Sequence, residues 1–227
     1  MNEIRLISPI ELATRFDSEQ RALSKHDTSN ERALRRKYSA LITKAAPEYV
    51  LDFTRRLFFK YGHRWQAYEI IAGHPKTFRK LNAELLEEFG QGINSWWTTD
   101  AFGRTLAGPA WKENLVPDGL IVKWAHSPDL WWRRAALVST VAFNMRSQGG
   151  KGDTQRTLLI CQLLAADHED MVVKAFSWAL RQLVYFDRKA VVEFLGEFDE
   201  VLAGRVKREV KSKLRTGLKN PKKAVDN

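Results

Sequence analysis

The chain has 227 residues, 44% of them hydrophobic, a single cysteine and a formal net charge of +10. That length supports a core without disulfides, and Cys161, inside the apolar run Leu158–Leu164, excludes a disulfide framework or a thiolate metal site within the chain. Met1–Arg5 is not followed by an apolar h-region and no segment approaches the ~18 uninterrupted apolar residues of a membrane span, so we expect a soluble, unexported, cytoplasmic protein.

Helix signals recur along the chain and strand signals are nearly absent. Ser8-Pro9 reads as a cap and first-turn proline for a helix to about Phe16, and Ala46-Pro47 opens another through Phe59. Gly62-His63-Arg64-Trp65 stands at a further helix start and is a candidate DNA contact, with Trp65 expected in the core. Pro75 begins a helix expected over Lys76–Phe89. After the Gly90-Gln91-Gly92 break, a helix from Asn94 to about Leu106 carries Ser95-Trp96-Trp97-Thr98-Thr99-Asp100. Ser127-Pro128-Asp129 starts Leu130–Met145, and Gln148-Gly149-Gly150-Lys151-Gly152 reads as a flexible surface turn, because it lacks the preceding strand and the Gly-Lys-Ser/Thr ending of a phosphate loop. Thr154–Ala165, Glu169–Tyr185, Arg188–Leu202 and Arg205–Leu218 all space apolar residues by three and four.

This pattern predicts an all-α fold. Asp129-Leu-Trp-Trp-Arg-Arg-Ala-Ala aligns with Asp170-Met-Val-Val-Lys-Ala-Phe-Ser at an offset of 41 residues, each block following a histidine-bearing turn (His126, His168). Such a period suits a HEAT-like repeat α-solenoid, in which antiparallel helix pairs stack into a curved superhelix lined on its concave face by every second helix. We expect one domain over residues 1–227. From Arg205 to Asn227 there are nine Lys/Arg against two Asp/Glu, seven of the ten net positive charges. That ending is either a local surface for a polyanion or a solvated terminal helix.

Three segments carry residues that a purely structural helix would not need. Trp96 and Asp100, four apart, share one helix face, and a carboxylate beside an indole is a cradle for a cation. Trp97 points about 100° away and is assigned to the core. In the second segment Trp131 and Trp132 read as packing and Arg133 as their solvated neighbour, with Arg134 beside it. The third is Val173-Lys174-Ala-Phe-Ser-Trp178-Ala-Leu-Arg181. The five histidines show neither i,i+4 pairing nor a cysteine neighbour, so no metal site is expected, and no cofactor is expected.

The Ser-Trp-Trp-x-x-Asp, Leu-Trp-x-x-Arg and Lys-Ala-x-x-Trp-x-Leu-Arg runs, in this order, resemble the AlkD-type DNA alkylation-repair glycosylases, and the resemblance extends through Leu214-Arg-Thr-Gly-Leu-Lys. It implies a monomeric base-excision-repair hydrolase that grips duplex DNA containing alkylated bases and removes cationic 3-alkyladenine and 7-alkylguanine with the base left stacked. Asp100 is then the catalytic carboxylate, Arg134 the backbone-contacting arginine, and Trp96 and Trp178 the aromatic walls, with Arg133 and Lys174 as further DNA contacts. The alternatives are a non-catalytic HEAT-like DNA-binding protein and a protein-binding scaffold.

Overall fold

The computed structural model describes residues 7–220, and among them the regular structure is helical with no strand. Met1–Arg5 and the end of the basic segment, residues 221–227, lie outside the described residues. Two compact units divide between Gln91 and Gly92, beside the glycine break.

The first unit holds α1 (Pro9–Arg21), α2 (Thr28–Leu41), α3 (Pro47–Arg55), α4 (Arg64–Gly73), α5 (Pro75–Phe78) and α6 (Ala83–Gly90). Ser8 Oγ accepts from the Glu11 N–H at 3.2 Å and Pro9 opens the first turn, so α1 starts as expected but runs on past Phe16. The helix expected over Lys76–Phe89 is broken in two. Asn82 Oδ1 accepts from the Leu85 N–H at 2.8 Å, and this cap begins α6 after the chain has turned at Arg79–Leu81. The core centres on Phe16, Tyr38 and Phe53, with Phe16 and Tyr38 edge to face at 4.9 Å. Of the Gly62–Trp65 segment, His63 Nε2 lies 2.9 Å from Asp17, and Arg64 donates to the Gln91 carbonyl at 2.6 Å while stacking on Phe58. Trp65, expected in the core, is half-buried, with the Arg32 guanidinium over its ring.

The second unit contains α7 (Trp96–Phe102), α8 (Gly108–Lys112), α9 (Asp118–Ala125), α10 (Leu130–Asn144), α11 (Thr154–Leu163), α12 (Asp170–Leu183), α13 (Arg188–Glu197) and α14 (Gly204–Thr216). A π-helical turn over Gly103–Ala107 joins α7 to α8, so the helical run passes well beyond Leu106. Pro109 has no N–H to continue an ordinary ladder, and the Gly108 N–H instead reaches back to the Gly103 carbonyl. The α7–α8 run packs on α10, α10 on α12, and α12 on α14, forming one layer. Helices α9 and α11 pack on each other, on α10 and, for α11, on α12, while α13 packs on α12. Every second helix therefore shares a layer, as in a HEAT-like solenoid. The N-caps of α10 and α12 are Asp129 and Glu169, one residue short of the offset of 41 read from sequence.

The glycine turn is built rather than loose. The Gly150 N–H bonds Met145 O, the Gly152 N–H bonds Phe143 O, and Lys112 Nζ donates to Gln148 O at 3.0 Å. Gly152 has φ +90° and sits on the Phe186 ring, which only glycine permits.

Candidate nucleic-acid interface

Helix α7 begins with a capping box, in which Ser95 and Thr98 satisfy each other's backbone ends. This fixes the first turn and sets Trp96 and Asp100 on one side of α7. Asp129 Oδ1 caps α10 by accepting from the Trp131 N–H at 2.8 Å, which sets the register that brings Arg134 opposite Asp100. Arg134 is 5% exposed; its Nε and Nη2 donate to Asp100 Oδ1 and Oδ2, both at 2.9 Å. Its Nη1 donates to the Met171 carbonyl of α12, so one guanidinium ties three successive helices of the layer.

Burial raises the Asp100 carboxyl above its ordinary range, and the Arg134 hydrogen bonds and charge, with the nearby Arg104 charge, only partly offset this. The Asp100 side chain is 20% exposed, so an oxygen lone pair not used by Arg134 remains open to water or to a ligand.

Beside this pair lies an open cleft of about 420 Å³ whose lining includes Trp96, Arg134, Lys174, Trp178, Arg181 and Arg205. Four sequence-predicted residues thus line one cleft, and Asp100 joins them through Arg134. Lys174 is held by Asp170 at 2.6 Å. Arg133 is not brought to this cleft. Adjacent to Arg134 on the helix, it turns away and bonds Asp167 at 2.7 Å and the Ser127 and Pro128 carbonyls.

Trp97, assigned to the core from sequence, is 48% exposed, against 59% for Trp96. The buried side of α7 is filled instead by Thr98, Thr99 and Phe102, so neither indole is needed there. Trp132 packs as expected, its ring 5.0 Å from Trp124 and 5.9 Å from Phe102.

Arg181, Arg205 and Lys219 were not singled out, although the first ends the third motif and the others belong to the basic ending. They surround Glu209, a buried carboxylate that sequence reasoning missed. Its signal is its position: it is the one acid from Arg205 to Asn220, four residues after Arg205 on the same helix. Burial would raise Glu209, but hydrogen bonds from Ser177 and Arg205 and the charges of Lys219 and Arg181 outweigh it and hold the carboxyl below its usual range. Burial likewise lowers Arg181, against the pull of Glu209.

Among the described residues no three His, Cys, Asp or Glu side chains form a metal-holding group, and no helix is long and apolar enough to cross a membrane. The arrangement has the chemistry to hold a polyanion against two indoles, with a desolvated carboxylate bonded to one of the lining arginines. No curated protein matches the chain. The model of the family described as DNA alkylation repair enzyme matches residues 21–220, and since this covers most of the sequence the chain belongs to that family of DNA alkylation repair enzymes.

Proposed function

We propose that the protein is a DNA glycosylase that hydrolyses the N-glycosidic bond of cationic 3-alkyladenine and 7-alkylguanine in duplex DNA. The observation that carries this reading is the Asp100 carboxylate, held by two hydrogen bonds from Arg134 beside a cationic cleft walled by Trp96 and Trp178.

An N3- or N7-alkylated purine carries a positive charge, so it departs with the electron pair of its bond to C1′ and becomes a neutral free base without prior protonation. Positive charge then grows on the deoxyribose, the same demand made in glycoside hydrolysis. A carboxylate already oriented and partly withdrawn from water stabilises that charge without reorganising. Trp96 and Trp178 add a cation–π attraction of about 0.5–2 kcal/mol as the sugar becomes cationic. Water adds to C1′ and loses its proton to Asp100, whose raised basicity suits it to accept, leaving an abasic site. Arg134 serves chiefly to orient the carboxylate, because its Nε and Nη2 both point at Asp100. Approach from the backbone side leaves the base in its stack.

In this reading the whole chain acts as one domain and as a cytoplasmic monomer, without a cofactor and with duplex DNA as its partner. The test is release of free base from duplex containing 7-methylguanine. Asp100→Asn is expected to release base about 100-fold more slowly or worse while still binding the duplex. Equal rates for the two proteins would sink the mechanism.

A further inference from the structure

Glu209 has no part in the reaction just described, yet it sits at the centre of a charge cluster on which three cations, Arg181, Arg205 and Lys219, converge. Its Oε2 accepts from Ser177 Oγ at 2.6 Å, and its Oε1 accepts from Arg205 Nε at 3.0 Å. Lys219 Nζ is 3.5 Å from Oε1, and Arg181 Nε, which donates to Ser177 Oγ at 3.1 Å, is 3.9 Å from Oε2. Arg205 is tied again through Nη1 to Asp170 at 3.0 Å. The three cations around Glu209 all line the cleft beside Asp100, together with Lys174 and Arg134.

Counting both sides of the cluster decides what this cleft suits. Among the described residues five cations line it and three carboxylates bond them, Asp100, Asp170 and Glu209, an excess of two positive charges. If attraction for an anion were the only purpose, a buried carboxylate behind the cations would be a disadvantage. What it supplies is order. Arg181, Arg205 and Lys219 are long, rotamer-rich side chains, and immobilising them in advance removes that entropy loss from the binding step. Each phosphodiester carries one negative charge, so that excess of two complements two linkages.

We propose that Glu209 is a positioning residue that holds Arg181, Arg205 and Lys219 as a pre-ordered clamp for two consecutive phosphodiesters of one DNA strand. The proposal rests on the reading above in taking DNA as the ligand, but not on base excision.

The test measures binding to duplexes carrying a tetrahydrofuran abasic analogue, with a neutral methylphosphonate placed at one linkage at a time around it. For the wild-type chain, two adjacent placements are expected to weaken binding by about tenfold each, and others little. In Glu209→Gln those two penalties shrink to about twofold, while affinity for the all-phosphate duplex changes little, because the added positive charge offsets the lost order. Ser177→Ala, which keeps the carboxylate but removes the hydroxyl joining it to Arg181, gives an intermediate penalty and carries the test if Glu209→Gln does not fold. A purely structural role leaves the penalties unchanged in whichever variant folds, and that result overturns the proposal, as does a wild-type profile with no adjacent pair. Base release by the wild type without this coupling removes the clamp and leaves the glycosylase; coupling without any base release does the reverse.

Discussion

In the proposed reaction Asp100 acts as the ionised carboxylate, and its two neighbours in charge, Arg134 and Arg104, work against a burial that favours the neutral acid. Base release is therefore expected to fall on acidification through a midpoint above the ordinary aspartate range of about 3.9. Removing the bidentate partner removes what lowers that midpoint, so Arg134→Gln moves the acid limb of the single-turnover rate to higher pH, besides lowering its plateau. An acid limb that stays in place while the plateau falls would mean that Arg134 acts on the DNA and not on Asp100. The Arg133–Arg134 pair shows why side chains adjacent in sequence part company. One is buried against Asp100 and the other bonds Asp167, because about 100° of helix separates them.

At the scale of elements, the site depends on how closely neighbouring helices approach. Gly108 begins α8 after the π-helical turn, and a Cβ there would meet the Ser139 carbonyl of α10 at 2.5 Å. That neighbour is backbone and cannot swing aside. Gly108→Ala is expected to cost about 2–3 kcal/mol and to lower Tm by roughly 5 °C or more in a thermal melt. Gly196 near the end of α13 has nothing within 4 Å of the same added atom. Gly196→Ala is expected to gain roughly 0.5 kcal/mol from reduced freedom of the unfolded chain.

Glu209 joins α14 to α12 through Ser177 and Arg181. Its carboxyl is held below the usual range when folded, so its contribution is present above the unfolded value, 4.5, and is lost as pH falls through the folded one. Urea titrations should show Glu209→Gln less stable than wild type by about 3 kcal/mol at neutral pH, with the gap closing progressively below that carboxylate range. A gap independent of pH would contradict the ionic role.

For the molecule as a whole, Cys161 is a built-in reporter. It is fully buried in α11, and burial pushes its thiol well above its ordinary value, so it is neither reachable nor ionised at neutral pH. Labelling by a thiol reagent should therefore be slow in native buffer and accelerate with urea in step with unfolding of the second unit. Prompt native labelling would show that α11 opens separately.

The helical class, most helix starts and the three segments whose residues meet at the candidate cleft were legible from sequence, because they depend on local chemistry. Caps such as Ser8 and Asp129 satisfy backbone groups within a few residues, and the spacing of Trp96 and Asp100 sets a shared face wherever the helix lies. What was not legible depended on neighbours from elsewhere in the chain. The exposure of Trp97 follows from Thr98, Thr99 and Phe102 filling the buried side of α7. The commitment of Arg134 to Asp100 comes from the packing of α7 on α10, and the burial of Glu209 among its partners from the packing of α12 on α14. A sequence specifies which groups a helix offers and on which face. Burial, desolvation and the sharing of a guanidinium or carboxylate among helices exist only once those faces meet, and in this protein they turn a run of charged and aromatic residues into one ordered cleft.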